Sequence, residues 1–222
     1  MPMTEADRLA ACAAQAGVGL SPAQTSRLLQ YLDLLERWNA TYNLTAVRRR
    51  EDMLVQHLVD CLAIVPAVER RLSSGGRVLD VGSGGGLPGV VLATVLPALT
   101  VTCVDAVGKK AAFVRQVGGS LGLSNLLAVH ARVETLPSTP TFDLVTCRAF
   151  SSLADLVRLT AALLSPGGCW LAMKGREPAE EIEALPTDVE VFHVEHLQVP
   201  DLEAERCLVW IRPRTPASMP QA

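Results

Sequence analysis

A glycine-rich turn after a short apolar run is the part of this sequence most suited to binding a ligand. Residues 77–81, Arg-Val-Leu-Asp-Val, are bounded by turn residues and predict a buried strand. Glycines follow at positions 82, 84, 85, 86 and 89, and the apolar run 90–96 then favours a helix. Strand, glycine turn and helix are typical of a nucleotide-binding βα unit, because bare main chain admits a ligand where a side chain would collide.

The spacing of these glycines argues against three other kinds of loop. The dinucleotide fingerprint G-x-G-x-x-G would need a glycine where Leu87 stands, and a P-loop would need a Gly-Lys-Ser/Thr tripeptide that the sequence lacks. A nucleophile elbow, G-x-S-x-G, fails because Val81 stands at the position of its first glycine. The sequence fits acid-x-G-x-G-x-G instead, with Asp80 as the acid.

A second acid follows about 20 residues downstream, as a nucleotide-binding fold requires. Residues 101–105, Val-Thr-Cys-Val-Asp, predict another apolar strand, and Asp105 ends it. A carboxylate there can accept hydrogen bonds from both ribose hydroxyls of an adenosine. A glycine cluster alone could be a tight turn in any α/β domain, but the whole combination resembles the cofactor-binding part of the S-adenosylmethionine (SAM)-dependent methyltransferases.

The elements that must position these residues alternate between strand and helix from residue 77 onward. Such alternation predicts an α/β fold with a mainly parallel, right-handed, doubly wound sheet, which for this class of enzyme is the Rossmann-like fold. The predicted strands are residues 77–81, 100–104, 126–130, 142–147, 169–173, 188–196 and 206–212.

Further polar residues follow the predicted strands. In open α/β sheets ligands bind beyond the carboxyl ends of the strands. Asp105, Val133 with Glu134, Arg148 and Lys174 all fall at such ends. Any one of Glu134, Arg148 and Lys174 could be an ordinary surface charge, but their convergence on one edge favours a binding site.

The residues before the glycine-rich turn predict a helical extension. Apolar side chains recur at helical spacing, and Pro66 with the Ser-Ser-Gly-Gly stretch 73–76 is expected to close the segment. His57 and Asp60 are three residues apart, so they can share one helix face. The predicted helices are residues 4–16, 22–38 and 50–65.

At 222 residues the chain suits one large domain with an appendage. We expect residues 1–72 to be a helical segment packed on the core, residues 73–213 to be the SAM-dependent methyltransferase domain, and residues 214–222 to be a disordered tail. No apolar run is long enough to cross a bilayer, and the acidic N-terminus lacks the features of a signal peptide. These features predict a cytoplasmic protein that does not use a membrane.

The cysteines and the net charge exclude some functions. The 6 cysteines are scattered without a C-x-x-C pair, so we expect small buried hydrophobic residues and no metal site. The net charge of −3 argues against a generic nucleic-acid coat, so an RNA partner would require locally concentrated basic residues. The candidates are Arg48 to Arg50, Arg70 with Arg71, and Lys109 with Lys110 and Arg115, although solvated helix ends explain them equally well.

A more specific resemblance rests on motifs that extend over roughly residues 5 to 212. The motifs are Trp38-Asn39-x-x-Tyr42-Asn43-Leu44-Thr45, His57-x-x-Asp60, the loop from Asp80 to Gly89 with its Leu-Pro-Gly end, Arg148-Ala149-Phe150, Lys174-Gly175 and Glu205-Arg206. Together they resemble the RsmG (GidB) family of bacterial 16S ribosomal RNA guanine-N7 methyltransferases. Gly85 departs mildly from the family pattern, in which a proline is common at that position.

The resemblance implies an activity and a set of site residues. It implies SAM as cofactor and N7 of the guanine at position 527 (standard 16S numbering) as acceptor, within 16S rRNA of an assembled 30S particle. It implies that Gly82 and Leu87 line the methionine and adenosine side, that Asp105 holds the ribose, that Val133 and Glu134 flank the adenine, and that Arg148 closes the site. The residues implied on the RNA and target-base side are Asn43, His57, Arg132, Lys174 and Arg206.

The chemistry of guanine N7 bears on the kind of catalyst required. N7 already carries a free lone pair, so no base is needed to deprotonate it before it attacks a methyl group. Alignment of the reacting atoms can supply the rate enhancement, and carboxylates or carbonyls near the cationic product would help. We therefore expect no essential Ser, Cys or His nucleophile and assign no certain catalytic residue. The candidates are Asn43, His57, Lys174 and Arg206.

Other functions stay open on the sequence alone. A SAM-dependent methyltransferase that acts on a small molecule or protein suits the acidic net charge, whereas the basic clusters and the family motifs oppose it. A non-catalytic ribosome-binding module would have no chemical need for the glycines or for Asp105. An NAD-linked oxidoreductase is disfavoured by the glycine spacing.

Overall fold

The computed structural model of this chain describes residues 3–214, so all of the predicted tail except Arg214 lies outside the described residues. A seven-stranded sheet with the order β3-β2-β1-β4-β5-β7-β6 forms the centre of the fold. The strands β1 to β5 pair in parallel, and β7 is antiparallel to both of its neighbours. The strands are β1 Gly76–Val81, β2 Leu99–Asp105, β3 Leu126–His130, β4 Phe142–Arg148, β5 Leu164–Lys174, β6 Val189–Leu197 and β7 Arg206–Pro213.

Helices precede the sheet and connect its strands. The α-helices are α1 Glu5–Gln15, α2 Pro22–Tyr42, α3 Arg50–Met53, α4 Asp60–Leu62, α5 Val65–Arg71, α6 Gly89–Val95, α7 Gly108–Leu121, α8 Leu153–Thr160 and α9 Ala179–Glu183. A π-helical segment, Leu54–Val59, joins α3 to α4, and short 3-10 helices span Val133–Thr135 and Ala161–Leu163. The predicted mainly parallel, doubly wound α/β fold is confirmed.

Apolar side chains on both faces of the sheet make two cores. Alternate residues of a strand point to opposite faces, so Val78 packs in one core and Leu79 in the other. The first core includes α6, α7 and the N-terminal helices, and the second includes α8. A central strand buried on both faces explains why residues 78–81 are fully covered and why the sequence shows a continuous apolar run there.

The N-terminal helices pack directly on the half of the sheet that carries the glycine-rich turn. The rings of Tyr31 and Trp38, both on α2, lie 6.1 Å and 5.5 Å from the ring of Phe113 on α7. Residues of α1, α2 and the segment 50–71 belong to the same buried cluster as β1, β2 and α6. The helical extension therefore shares its core with the sheet.

Two local predictions were wrong. Pro66 does not close the helical segment, because proline is well suited to the first turn of a helix and it lies in the first turn of α5. The strand predicted over residues 169–173 begins earlier, because β5 spans Leu164–Lys174. The Ser-Pro-Gly-Gly stretch 165–168 therefore lies within that strand, next to a register irregularity in the pairing of β4 with β5.

The prediction that the cysteines are buried is confirmed for all six, and each is free. Within residues 3–214 no helix is long and apolar enough to span a membrane. In the same range, no group of three or more His, Cys, Asp or Glu side chains is placed to hold a metal ion.

Candidate active site

Three adjoining cavities lie along the carboxyl edge of the parallel strands. The acidic cavity, about 250 Å³, contains Asp105 and Glu134; the glycine-loop cavity, about 220 Å³, lies over Gly82–Leu87; the arginine cleft, about 410 Å³, contains Arg148 and Arg206. Gly82 lines both of the first two cavities, and Arg148 lines both of the last two. The three cavities therefore adjoin one another along this edge.

Most of the predicted site residues meet there. Gly82, Asp105, Arg132, Val133 and Glu134 line the acidic cavity. The glycine-loop cavity is lined by Gly82, Leu87, His57 and Arg148. The arginine cleft is lined by His57, Arg148, Lys174 and Arg206. Asn43 lines none of these three cavities, and its role in the site stays a prediction.

The glycine loop needs its glycines for conformation and for space. Gly82, Gly84 and Gly86 have φ angles of 63°, 58° and 85°, a region that side chains rarely adopt. A Cβ on Gly86 would lie 2.7 Å from the Val90 side chain, and one on Gly82 would lie 3.1 Å from the ring of Phe150. The glycines therefore expose main chain without side chains to the cavity. They also allow close packing of the side chains beneath the loop.

Asp105 fastens the loop as well as lining the acidic cavity. Its carboxylate accepts hydrogen bonds from the backbone N–H of Gly84 at 2.9 Å and from that of Val107 at 2.8 Å. The residue is 7% exposed, so both bonds are protected from water. A carboxylate oxygen has more than one acceptor site, so the same group can also accept from a ligand. The sequence motif did not reveal the bond to the loop.

Asp80 is a buried carboxylate directly below the loop. Its Oδ2 accepts from the backbone N–H of Gly89 at 2.8 Å, whereas Oδ1 has no hydrogen-bond partner within residues 3–214. Burial raises the pKa of this carboxyl to about 7, against the effect of the Gly89 bond. The hydroxyl of Ser83 is also buried without a partner in the described chain. Ser83 lines the glycine-loop cavity, so its unpartnered hydroxyl indicates a polar ligand there, whereas Asp80 lines none of the three cavities.

Helix α2 forms a wall of the glycine-loop cavity. The hydroxyl of Tyr31, which is fully buried, donates a hydrogen bond to the backbone oxygen of Gly85 at 2.8 Å. Leu35, Leu44 and Thr45 line the same cavity. The sequence predicted these N-terminal helices but gave no signal that they reach the glycine loop, because the contact joins residues 54 positions apart.

The segment after α2 is held by Asn39 rather than by Asn43. The buried amide of Asn39 accepts from the N–H of Thr45 at 3.0 Å and donates to the oxygen of Val47 at 3.3 Å. Asn43 ends α2 in a left-handed conformation, and its side-chain oxygen accepts from Arg48 at 2.8 Å. Asn43 thus acts as a helix cap, and Asn39 places Thr45 at the cavity.

His57 lies where the glycine-loop cavity meets the arginine cleft. Its Nε2 is 2.9 Å from the hydroxyl oxygen of Thr45, and its Nδ1 has no hydrogen-bond partner in the described chain. Burial, reinforced by the charge of Arg148, lowers the pKa of His57 to about 4. The imidazole is therefore neutral near pH 7.

We expect His57 to make the protein less stable as the pH falls. The pKa is about 4 in the folded chain and near 6.5 in the unfolded chain, so between these values the unfolded chain takes up a proton that the folded chain does not. The free energy of unfolding should fall by up to ~3 kcal/mol from this group over that interval. Urea unfolding of the native protein and of His57→Gln across the interval measures the difference, and parallel curves would contradict the expectation.

The arginine cleft is organised around Asp60. This carboxylate, 3% exposed, accepts from Nε of Arg206 at 2.7 Å and from Nη1 of Arg148 at 3.3 Å. Arg148 also donates to the backbone oxygen of Gln56 at 2.8 Å. Lys174 is paired separately, because its ammonium donates to both carboxylate oxygens of Glu181 at 2.9 and 2.8 Å.

The Arg-Ala-Phe triplet turns the chain at the end of β4. Ala149 has a φ angle of 56°, which is uncommon for a residue with a side chain. Arg148 reaches the cleft on one side of this turn, and Phe150 packs against Gly82 on the other. The turn therefore lets the triplet contact the arginine cleft and the glycine loop at the same time.

Part of the basic clusters is neutralised within the chain. Arg50 forms ion pairs with Glu5, Asp33 and Glu36 at 2.7 to 2.8 Å. Arg70 pairs with Glu195 at 2.9 Å. Both side chains are therefore already paired within the chain.

Comparison with known proteins gives the chain a family. A family profile described as "GidB: rRNA small subunit methyltransferase G" matches residues 24–209. "Ribosomal RNA small subunit methyltransferase G" of Leptothrix cholodnii is 57% identical over 213 residues, which cover 96% of this chain and 97% of that protein. The protein of the same name from an Acidovorax species is 55% identical over 206 residues, or 89% and 90% of the two chains.

Solved structures share the fold at much lower identity. TrmN from Thermus thermophilus is 22% identical, with a TM-score of 0.56 over 72% of this chain and 53% of that one. A SAM-dependent methyltransferase from Aquifex aeolicus is 17% identical, with a TM-score of 0.54 over 72% and 92%. These neighbours show the class I methyltransferase fold. The profile and the close relatives confirm the predicted family: this chain belongs to the rRNA small subunit methyltransferase G (GidB) family.

Proposed function

We propose that this enzyme transfers the methyl group of SAM to N7 of the guanine at position 527 of 16S rRNA, within the 30S particle. The observation that carries the proposal is that the three cavities adjoin one another, since a cofactor and a nucleotide need neighbouring places. The names of the close relatives support the RNA substrate, and the family motifs support the guanine and its N7.

The residues beside the glycine loop fit SAM. The cofactor has a zwitterionic amino-acid end, an adenosine and a cationic sulfonium, and when bound it supplies an electrophilic methyl group. The buried hydroxyl of Ser83, which lines the glycine-loop cavity, is available to the amino-acid end, and the bare loop leaves room for it. Asp105 offers carboxylate oxygens to the ribose, and Val133 offers an apolar contact for the adenine. Glu134 lines the same cavity and would flank the adenine, and Leu87 lines the glycine-loop cavity and would contact the methionine and adenosine side.

The arginine cleft suits a nucleotide. Its volume of about 410 Å³ lies in the range of small-ligand sites, and an enzyme that modifies a base can draw that base out of the RNA into such a space. The Gln56 backbone oxygen and the Asp60 carboxylate accept from Arg148 and Arg206, and guanidinium groups held in this way suit the phosphate of a nucleotide. His57 is neutral and is not required as a base, because N7 is already a nucleophile.

A labelling experiment tests the proposal. Tritiated SAM is incubated with the protein and with 30S particles from cells that lack this gene, and the product is digested and mapped. We expect label as 7-methylguanosine at one 16S site, and no label in 30S particles from cells that retain the gene. Transfer to neither 30S particles nor naked 16S RNA, despite SAM binding, would refute the RNA substrate and favour a small molecule or protein.

Replacing Tyr31 with phenylalanine is expected to weaken SAM binding by roughly three- to tenfold. The change removes the single hydroxyl that holds the Gly85 carbonyl, a bond that contributes about 1 kcal/mol. Equilibrium dialysis with labelled SAM measures the affinity. Tyr42→Phe is the matched control, because Tyr42 is 42% exposed and should tolerate the change. Equal affinities for the two variants would contradict the role of Tyr31.

A further inference from the structure

The arginine cleft has an excess of positive charge that the described chain does not balance. Lys174 is neutralised by Glu181, whereas Arg148 and Arg206 share the one carboxylate of Asp60. The side chains of both arginines are 24% exposed, so they are accessible from the cleft. One positive charge therefore remains for a ligand.

Hydrogen-bond donors remain as well. Arg206 uses Nε for Asp60 and Nη1 for the backbone oxygen of Glu205. Arg148 uses Nη1 for both Gln56 and Asp60. Within residues 3–214 no acceptor meets the Nη2 group of either arginine, although each guanidinium carries five N–H donors in a fixed plane. The shared carboxylate fixes both planes with these donors unused.

The π-helical segment explains how Asp60 comes to lie there. Gln56 and His57 belong to that segment and Asp60 follows it directly, and all three residues line the cleft. A π-helical turn changes the angle between successive side chains, and such turns are frequent at functional sites. The backbone of this helix is thus adapted to present an acceptor to two arginines that come from β4 and β7.

We infer that Asp60 is a positioning residue that holds Arg148 and Arg206 ready to bind a phosphodiester group of the RNA beside the target guanine. This inference rests on the proposed function. A phosphate suits the cleft in charge, because it balances the excess positive charge, and in shape, because guanidinium groups bind phosphate oxygens in pairs. A guanine ring alone suits it less, since methylation makes the ring cationic and an unbalanced arginine pair would oppose that charge.

An electrostatic role and a positioning role of Asp60 predict opposite effects on RNA binding for one substitution. Asp60→Asn removes a negative charge from the cleft, so a purely electrostatic role of Asp60 predicts tighter RNA binding. A positioning role predicts weaker binding, because the amide presents its N–H donors to one of the arginines and releases it. The two outcomes differ in sign, which makes the variant informative even if it is somewhat less stable.

The experiment is steady-state methyl transfer to 30S particles from cells that lack this gene, for native protein, Asp60→Asn, Arg206→Gln and the double variant. We expect Asp60→Asn to raise KM for 30S particles by about tenfold or more, with the Kd for SAM changed by less than about twofold. For Arg206→Gln, we also measure the association constant for 30S particles at several salt concentrations. The slope of its logarithm against the logarithm of the salt concentration should become shallower by about one, as loss of a phosphate contact predicts. The double variant should be less impaired than the two single effects combined, because Asp60 acts partly through Arg206.

The control is Glu190→Gln, which breaks an ion pair with Arg212 at the opposite end of β7 and should leave KM and the salt slope unchanged. An unchanged or lower KM for Asp60→Asn would overturn the inference, as would an unchanged salt slope for Arg206→Gln. If the native protein transfers no methyl group to RNA, the proposed function itself fails. Normal native transfer together with normal variants refutes only the role of Asp60.

Discussion

Replacing Asp105 with alanine is expected to weaken SAM binding by about a hundredfold. The change removes the acceptor of the Gly84 and Val107 N–H groups, so two backbone donors near the cavity lose their partners. SAM binding must then also order the released loop, and the bound state loses the carboxylate proposed to hold the ribose, since hydrogen bonds to a charged group contribute roughly 1.5–3 kcal/mol. A loss of about 2.7 kcal/mol in binding corresponds to the hundredfold change.

Isothermal titration of SAM into the native protein and Asp105→Ala measures this effect. Asp143→Ala is the matched control, because Asp143 also accepts a backbone N–H, that of Arg77 at 2.8 Å, but at the opposite end of the sheet. It should lower stability while leaving SAM affinity within about twofold of native. Equal SAM affinity for Asp105→Ala and the native protein would refute the assignment of Asp105.

The local part of the site could be predicted from the sequence. The glycines and the acid at the end of β2 are close along the chain, and their conformations follow from steric rules that apply in any protein. The strand ends were also predictable, because a parallel sheet brings every carboxyl end to one edge. The positions of Arg148 and Lys174 at that edge are therefore consequences of topology.

The contacts that join distant parts of the chain could not be predicted in this way. Asp60 and Arg206 are 146 residues apart, and no periodicity relates them. The sequence showed that His57 and Asp60 could share a helix face, but the π-helical segment between them is not visible in the pattern. Lys174 was predicted as a basic contact for RNA, and the structure adds its pairing with Glu181.

Burial separates two similar residues in the motif after α2. The family resemblance implies Asn43 as a candidate for the site. In the structure, Asn39 is buried and its side chain accepts from the N–H of Thr45, whereas Asn43 ends its own helix. Burial decides which of two similar asparagines can organise a loop, and burial depends on the packing of α2 against the sheet.

Replacing Gly89 with alanine is expected to lower the free energy of unfolding by about 3 kcal/mol or more. A Cβ there would overlap the sulfur of Cys103 and lie 2.9 Å from Oδ2 of Asp80. Both neighbours are fully buried on β1 and β2, so neither can move aside without shifting the sheet. The same displacement would disturb the bond from the Gly89 N–H to Asp80, and SAM affinity should fall with stability.

Gly119→Ala is the matched control for this change. Gly119 lies within α7, and a Cβ there would meet no atom of the described chain within 4 Å. Alanine should therefore stabilise the protein by roughly 0.5–1 kcal/mol, because it favours the helix.

Cys103→Ala in the Gly89→Ala background removes the overlapping sulfur and should restore part of the lost stability. Urea unfolding of the four proteins decides the matter, since equal midpoints for Gly89→Ala and Gly119→Ala would show that the space below the glycine loop is not limiting.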